Sequence, residues 1–173
     1  NCGNFGNITA TGSGTMYVGG VSAYGWGGNV GSNGLANGLL NCFNAGNIKV
    51  DNSGDDSVKA YVSGVIGYFN TTVYTLENCF NAGTITFGGS SAYAGAVVGY
   101  SNNAKGTNAN LYYLEGSYST GIGTNKNTVD AAAVSAETLA SADFVTTINT
   151  GLETAAFAAG EDHPILVWQV SSE

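Results

Sequence analysis

The phrase Asn1-Cys2-Gly3-Asn4-Phe5-Gly6-Asn7-Ile8 returns as Asn41-Cys42-Phe43-Asn44-Ala45-Gly46-Asn47-Ile48 and again as Asn78-Cys79-Phe80-Asn81-Ala82-Gly83-Thr84-Ile85. The offsets are 40 and 37 residues, and a worn fourth copy reads 38 residues further on as Gly116-Ser117-Tyr118-Ser119-Thr120-Gly121-Ile122. Self-similarity at such a period marks a repeat architecture, in which one unit buries its apolar face only when a neighbour stacks on it. Between these phrases lies a second element: Tyr17-Val18-Gly19-Gly20-Val21-Ser22-Ala23-Tyr24, Tyr61-Val62-Ser63-Gly64-Val65-Ile66-Gly67-Tyr68 and Tyr93-Ala94-Gly95-Ala96-Val97-Val98-Gly99-Tyr100. A third, weaker one precedes the later copies as Gly38-Leu39-Leu40, Tyr74-Thr75-Leu76 and Tyr112-Tyr113-Leu114. Each repeat therefore holds three short β-prone runs, punctuated by Gly, Asn and Ser. Runs such as Val65-Ile66 are too short for helices and lack a 3.6-residue period.

Three strands per repeat, copied in order, predict an all-β chain: a right-handed parallel β-solenoid, or three-sided β-helix, with a small C-terminal helix-and-strand cap. Residues 1–123 make about three and a half coils and residues 124–173 the cap. Equivalent strands then pair in parallel about 4.8 Å apart, so like stacks on like. The expected columns are Cys2/Cys42/Cys79, Tyr17/Tyr61/Tyr93, Tyr24/Tyr68/Tyr100 and Phe43/Phe80/Tyr118. Gly20, Gly64 and Ala96 sit where a larger inward side chain would crowd the core. Asn41, Asn44, Asn78 and Asn81 suit corners, because Asn tolerates left-handed backbone and bonds its own main chain. Gly6, Gly46, Gly83 and Gly121 are expected to supply positive φ at the following turn. Beyond Gly123 the grammar changes. Ser135 opens one capped helix; Ser141 to Asn149 forms another, with Phe144 and Ile148 on one face and Gly151 as its stop. Residues 164–170 read as a closing strand. An open solenoid end exposes backbone and apolar core, so Phe144, Ile148, Ile165, Val167 and Trp168 are expected to bury against the last coil.

Charged residues are only 9% of the chain and Arg is absent; four Lys stand against twelve carboxylates, for a net charge of -8. That balance supplies no electrostatic footprint for nucleic acid or anionic lipid. No run of 18 apolar residues exists, so no membrane insertion is expected. The chain opens on its repeat phrase, which reads as a mature piece of a longer, multi-domain protein. The cysteines occupy one slot of successive repeats and read first as small buried hydrophobes. A Cys2–Cys42 disulfide remains compatible with the coil spacing, whereas a zinc site would need ligands that accompany none of them.

The segments Gly64-Val65-Ile66-Gly67 and Ala96-Val97-Val98-Gly99 resemble the GLUG repeat of bacterial surface proteins, with Gly20-Val21-Ser22-Ala23 departing at Ser22 and Ala23. The Asn-Cys-aromatic phrase is similar to the segment that accompanies that repeat. The helix with Phe144, Ile148 and Asn149, followed by His163-Pro164-Ile165-Leu166, resembles the segment that closes such arrays. The resemblance implies large secreted or wall-attached bacterial proteins, adhesin-like ones among them. It carries no catalytic residues to transfer.

Four places in the sequence carry residue types suited to chemistry or recognition. His163, beside Asp162, would make a general base if a nucleophile lay near, but reads as a turn residue. The run from Asp51 through Asp55 and Asp56 is oxygen-rich, as calcium prefers, yet follows no EF-hand order and reads as a solvated loop. Glu77 and Glu115 fall at matching places of two repeats, about one coil spacing apart, which suits a retaining glycosidase pair; the simpler reading is a surface ladder. Tyr112, Tyr113 and Tyr118, with Trp26 in its glycine loop, are the recognition candidates, since aromatic side chains stack on sugars and anchor partners. The sequence thus points to a non-enzymatic structural or adhesive module, extracellular and secreted or wall-attached, without cofactor. Its contacts, to a host or cell-surface glycan or protein, would fall at Trp26, Asp51, Asp55, Asp56, Tyr112, Tyr113 and Tyr118. The alternative is a carbohydrate-binding or carbohydrate-active β-helix domain.

Overall fold

The computed structural model describes residues 1–27, 37–54, 57–71, 74–89, 92–102, 108–125 and 129–170, and not the side chains at 26, 37 and 71. The chain is mostly β, with parallel strands in stacked sheets. One sheet joins β1 (Cys2–Asn4), β6 (Cys42–Asn44), β10 (Tyr74–Asn81), β14 (Asn108–Leu114) and β16 (Ala132–Val134) in that order, with β5 (Asn37–Leu40) also on β10. A second orders β2 (Ile8–Gly12), β7 (Ile48–Asn52) and β11 (Ile85–Gly89); a third β3 (Met16–Gly19), β8 (Ala60–Ser63) and β12 (Ala92–Gly95). The fourth runs β4 (Ser22–Gly27), β9 (Ile66–Thr71), β13 (Val98–Asn102) and β15 (Ile122–Asn125). Every pairing in these four sheets is parallel, between neighbouring coils. The second repeated element is thus two strands, not one, because the chain turns between Gly19 and Ser22 and at the equivalent places.

Register is one repeat per coil. Cys2 opposes Cys42, Phe43 opposes Phe80, Ile8 and Ile85 flank Ile48, and Tyr17 and Tyr93 flank Tyr61. Stacked coils enclose two apolar clusters. One holds Cys42, Cys79, Ile66, Phe69, Tyr74, Leu76 and Val97; the other Val18, Ile48, Val50, Val62 and Ile85. Amide columns hold the corners. Asn110 Nδ2 donates to Asn78 Oδ1 (2.8 Å), Asn78 to Asn41 (2.9 Å) and Asn41 to Asn1 (2.9 Å). Asn41, Asn78 and Asn110 carry φ of 55°, 52° and 54°. A left-handed residue flips the alternation of the strand, which lets Cys79 face inward and Phe80 outward.

The left-handed residues at these corners are the asparagines; Gly6, Gly46, Gly83 and Gly121 do not have positive φ. Gly46 and Gly83 answer a different need: a Cβ on either would run into the carbonyl of the glycine one coil earlier. Gly20 and Gly64 lack side chains because the amides of Asn44 and Asn81 fill that space. The fourth copy is also displaced from its expected place. Cys79 opposes Leu111 and Phe80 opposes Tyr112, so the fourth phrase is Asn110-Leu111-Tyr112, 32 residues after Asn78. Ser117 instead follows Thr84, its carbonyl accepting from Ile85 N as the Thr84 carbonyl accepts from Ile48 N.

From Ala136 on, the C-terminal segment is a strap across the outer face of the first sheet. Helices α1 (Ala136–Leu139) and α2 (Ala142–Ile148) begin as expected, with Ser135 Oγ accepting from Thr138 N and Ser141 Oγ from Phe144 N. Gly151 follows α2 at φ +85°. Asn149 then ties α2 to the antiparallel pair β17 (Phe157–Ala158) and β18 (Ile165–Leu166). Its Oδ1 accepts from Ala156 N and Phe157 N, and its Nδ2 donates to the Phe157 carbonyl. Leu139, Phe144, Ile148, Phe157 and Leu166 pack on Phe43 and Phe80, with Tyr112 at the margin. From Ala136 on the strap therefore spans several coils sideways, whereas residues 129–134 lie on the end of the stack, with β16 on β14 and Val129 in the Cys42/Cys79 cluster. The expected closing strand is only two residues, followed by a 3-10 turn, Val167–Gln169. Val167 (42% exposed) and Trp168 (66%) stay in solvent, against expectation.

Candidate functional site

Six tyrosines form a two-column grid on the outside of the third and fourth sheets. Tyr17, Tyr61 and Tyr93 stack at 5.0 and 5.2 Å between ring centroids, tilted by 9° and 27°. Tyr24, Tyr68 and Tyr100 stack at 5.0 and 5.2 Å, tilted by 11° and 7°. Within a coil the two rings meet edge to face, at 5.0, 4.8 and 4.9 Å. The geometry follows from the sequence: partners lie seven residues apart in every copy, Tyr17 to Tyr24, Tyr61 to Tyr68 and Tyr93 to Tyr100. The turn between the sheets swings the second ring against the edge of the first. Offset and edge-to-face contacts both suit the aromatic quadrupole, about 0.5–1.5 kcal/mol per pair beyond burial. Partial burial and the neighbouring phenols push the hydroxyls of Tyr61 and Tyr68 up from their ordinary value. Beside the second column, Asn102 Nδ2 donates to Asn70 Oδ1 at 3.2 Å, adding an amide column on the same face.

Among the described residues, the three candidate tyrosines fall in separate clusters. Tyr112 lies under the strap, edge to face with Phe144 at 5.0 Å. Tyr113 packs against the Cys42/Cys79 cluster, and Tyr118 against the Ile48/Ile85 cluster. All three are half-buried parts of three different clusters rather than an exposed set. Their adjacency in sequence concealed this, because two of them point to opposite faces of β14. Asp51 is exposed on β7, in register with Thr11 and Gly88. Asp55, Asp56 and the Trp26 side chain lie outside the described residues; the Trp26 main chain pairs with Asn70. Among the described residues no three His, Cys, Asp or Glu gather as a metal site.

Glu77 stands in register with Leu40 and Ala109, whereas Glu115 falls in the turn after β14. The shifted fourth copy therefore removes the carboxylate pair that the sequence spacing implied. His163 faces the phenylalanines, 5.3 Å from the Phe43 ring and 6.0 Å from Phe5 and Phe80. Its Nδ1 donates to the Pro164 carbonyl at 2.9 Å. With Asp162 it borders a cleft of about 360 Å³ whose lining includes Ala45, Ala82, Leu114 and Leu139. Among the described residues, that lining has no hydroxyl or thiol for the imidazole to activate.

No disulfide joins the cysteines: Cys2 is exposed, and Cys42 and Cys79 are buried. The exposed position of Cys2 departs from the expected buried trio, since no coil covers β1 on that side in the structure. The Cys42 and Cys79 thiols donate to the carbonyls of Leu40 and Glu77, both at 3.2 Å. Burial pushes the Cys79 thiol well up from its ordinary value, which favours its protonated form.

No protein-family model, curated protein or solved structure matches the chain.

Proposed function

We propose that this chain is a non-enzymatic structural or adhesive module of a bacterial cell-surface or secreted protein. The observation that carries the reading is the tyrosine grid. Identical neutral side chains recur at a fixed step along the stack and lock one another in place, so this part of the outer surface is ordered and repetitive, and its rings carry no charge. Such a surface suits spacing and weak contacts multiplied along an array, where linkage raises avidity without a strong single site. The right-handed, three-sided winding and the kinship with GLUG-bearing surface proteins belong to the same proposal and rest on the sequence phrases alone.

The test compares the free chain with the same chain displayed densely on beads, over bacterial and host-cell surfaces and a glycan panel. Retention of the beads, with much weaker capture of the free chain, is the expected result. Polysaccharide turnover that disappears in Glu77→Gln would overturn the reading in favour of a carbohydrate-active domain.

A further inference from the structure

The tyrosine grid has a lattice, and the lattice restricts what fits it. Steps along both columns are 5.0 and 5.2 Å, and steps across them 4.8 to 5.0 Å. Ring faces are spent on neighbouring rings, and the rings most open to solvent are Tyr17 (40% exposed) and Tyr24 (42%). Each phenol both donates and accepts, and the Asn70/Asn102 column extends the same chemistry sideways. Packing already holds these rings, so binding costs them little further rotamer entropy. Rings that are periodic, uncharged and hydroxyl-bearing match a ligand with the same properties. An extended β-1,4-linked glycan advances by about one such step per sugar and presents equatorial hydroxyls along a flat ribbon.

We propose that the six-tyrosine grid docks an extended, uncharged β-1,4-linked polysaccharide lying along the columns, one sugar per coil. The proposal rests on the adhesive reading above and names its ligand class and site. Charge complementarity points the same way. The chain has no Arg and a net charge of -8, so it would repel acidic glycans, whereas a neutral one meets only phenols and amides. Three coils span only three sugars, so a soluble oligosaccharide binds weakly and a solid surface, met by many copies, binds well.

The experiment measures depletion of the purified chain by microcrystalline cellulose, with starch granules as the α-linked control and pectate gel as the acidic one. The variants are Tyr17→Phe/Tyr24→Phe and Tyr61→Phe/Tyr68→Phe, which keep the ring stacks and remove hydroxyls, so the fold is retained; thermal unfolding verifies this. The expected result is depletion by cellulose that added salt does not weaken, little depletion by starch or pectate, and a loss of about tenfold or more in each double variant, as several hydrogen bonds are removed together. Absence of cellulose binding, equal binding to starch, suppression by salt, or full binding by both variants overturns the proposal. Beads that still adhere to cells without binding cellulose would sink this proposal and leave the adhesive reading standing. Beads that adhere to nothing would sink both.

Discussion

Asn44 is the residue on which removal of a few atoms should cost most. It is fully buried, and its side-chain amide makes three hydrogen bonds. Its Nδ2 donates to the Gly46 carbonyl at 2.7 Å and to Asn81 Oδ1 at 2.8 Å, while its Oδ1 accepts from Asn4 Nδ2 at 2.7 Å. Three such bonds at a net of ~1 kcal/mol each give ~3 kcal/mol, and stranding buried acceptors adds to that. Asn44→Ala should therefore lose about 3–5 kcal/mol, a large fraction of the ~5–15 kcal/mol that holds a domain. Asn44→Asp keeps the shape but sets a carboxylate against Asn81 Oδ1. Burial would raise the pKa of the new carboxyl in the folded state above its unfolded value of about 3.9. A raised group favours folding while protonated. The stability of the aspartate variant is thus highest below about pH 3.9 and is lost as pH rises through the folded pKa. Urea unfolding of wild type, Asn44→Ala and Asn44→Asp from mildly acidic to neutral pH measures both effects. An alanine variant within about 1 kcal/mol of wild type would refute the reasoning. So would a gap between Asn44→Asp and wild type that does not widen towards neutral pH.

Phe80 is fully buried, stacked on Phe43 at 5.1 Å and covered by the strap. Phe80→Ala should cost about 3–5 kcal/mol and make the strap the first site of limited proteolysis; a strap that stays resistant would show that it is held elsewhere. A thiol reagent should label Cys2 quickly and reach Cys42 and Cys79 only on unfolding, because the latter two are 2% and 0% exposed; three fast thiols would contradict the register. Burial pushes the Tyr74 hydroxyl up to about 12, and Tyr61 and Tyr68 are also raised. Their contribution to stability is complete below the unfolded value of about 10 and is lost as pH climbs through the folded values. The absorbance change lost in Tyr61→Phe, Tyr68→Phe and Tyr74→Phe should titrate late in the native protein, with alkaline unfolding accompanying it, and titration of that component near the ordinary value would show that these three rings are not packed.

The repeat phrases alone determined the stacking, the one-repeat coil and most columns, because parallel in-register pairing follows whenever the same pattern recurs at a nearly constant period. The helix starts at Ser135 and Ser141 were equally legible, since a cap is a local bond between a hydroxyl and an amide three residues on. The tyrosine columns were legible too, but the seven-residue step that sets one edge to face with the other acquires meaning only with the turn between the sheets. Tertiary structure decided the rest. Loop lengths vary between copies, so only the pairing of Asn78 with Asn110 shows that the fourth coil begins at Asn110, and this in turn separates Glu77 from Glu115. Whether an outward ring is a contact surface depends on what lies over it: the strap covers Phe43, Phe80 and Tyr112 and leaves Tyr17 and Tyr24 in solvent. The choice of asparagine rather than glycine for the left-handed corners has the same origin. An isolated turn would accept either, but only asparagine also bonds its equivalent in the next coil, and that partner lies 32 to 40 residues away in sequence.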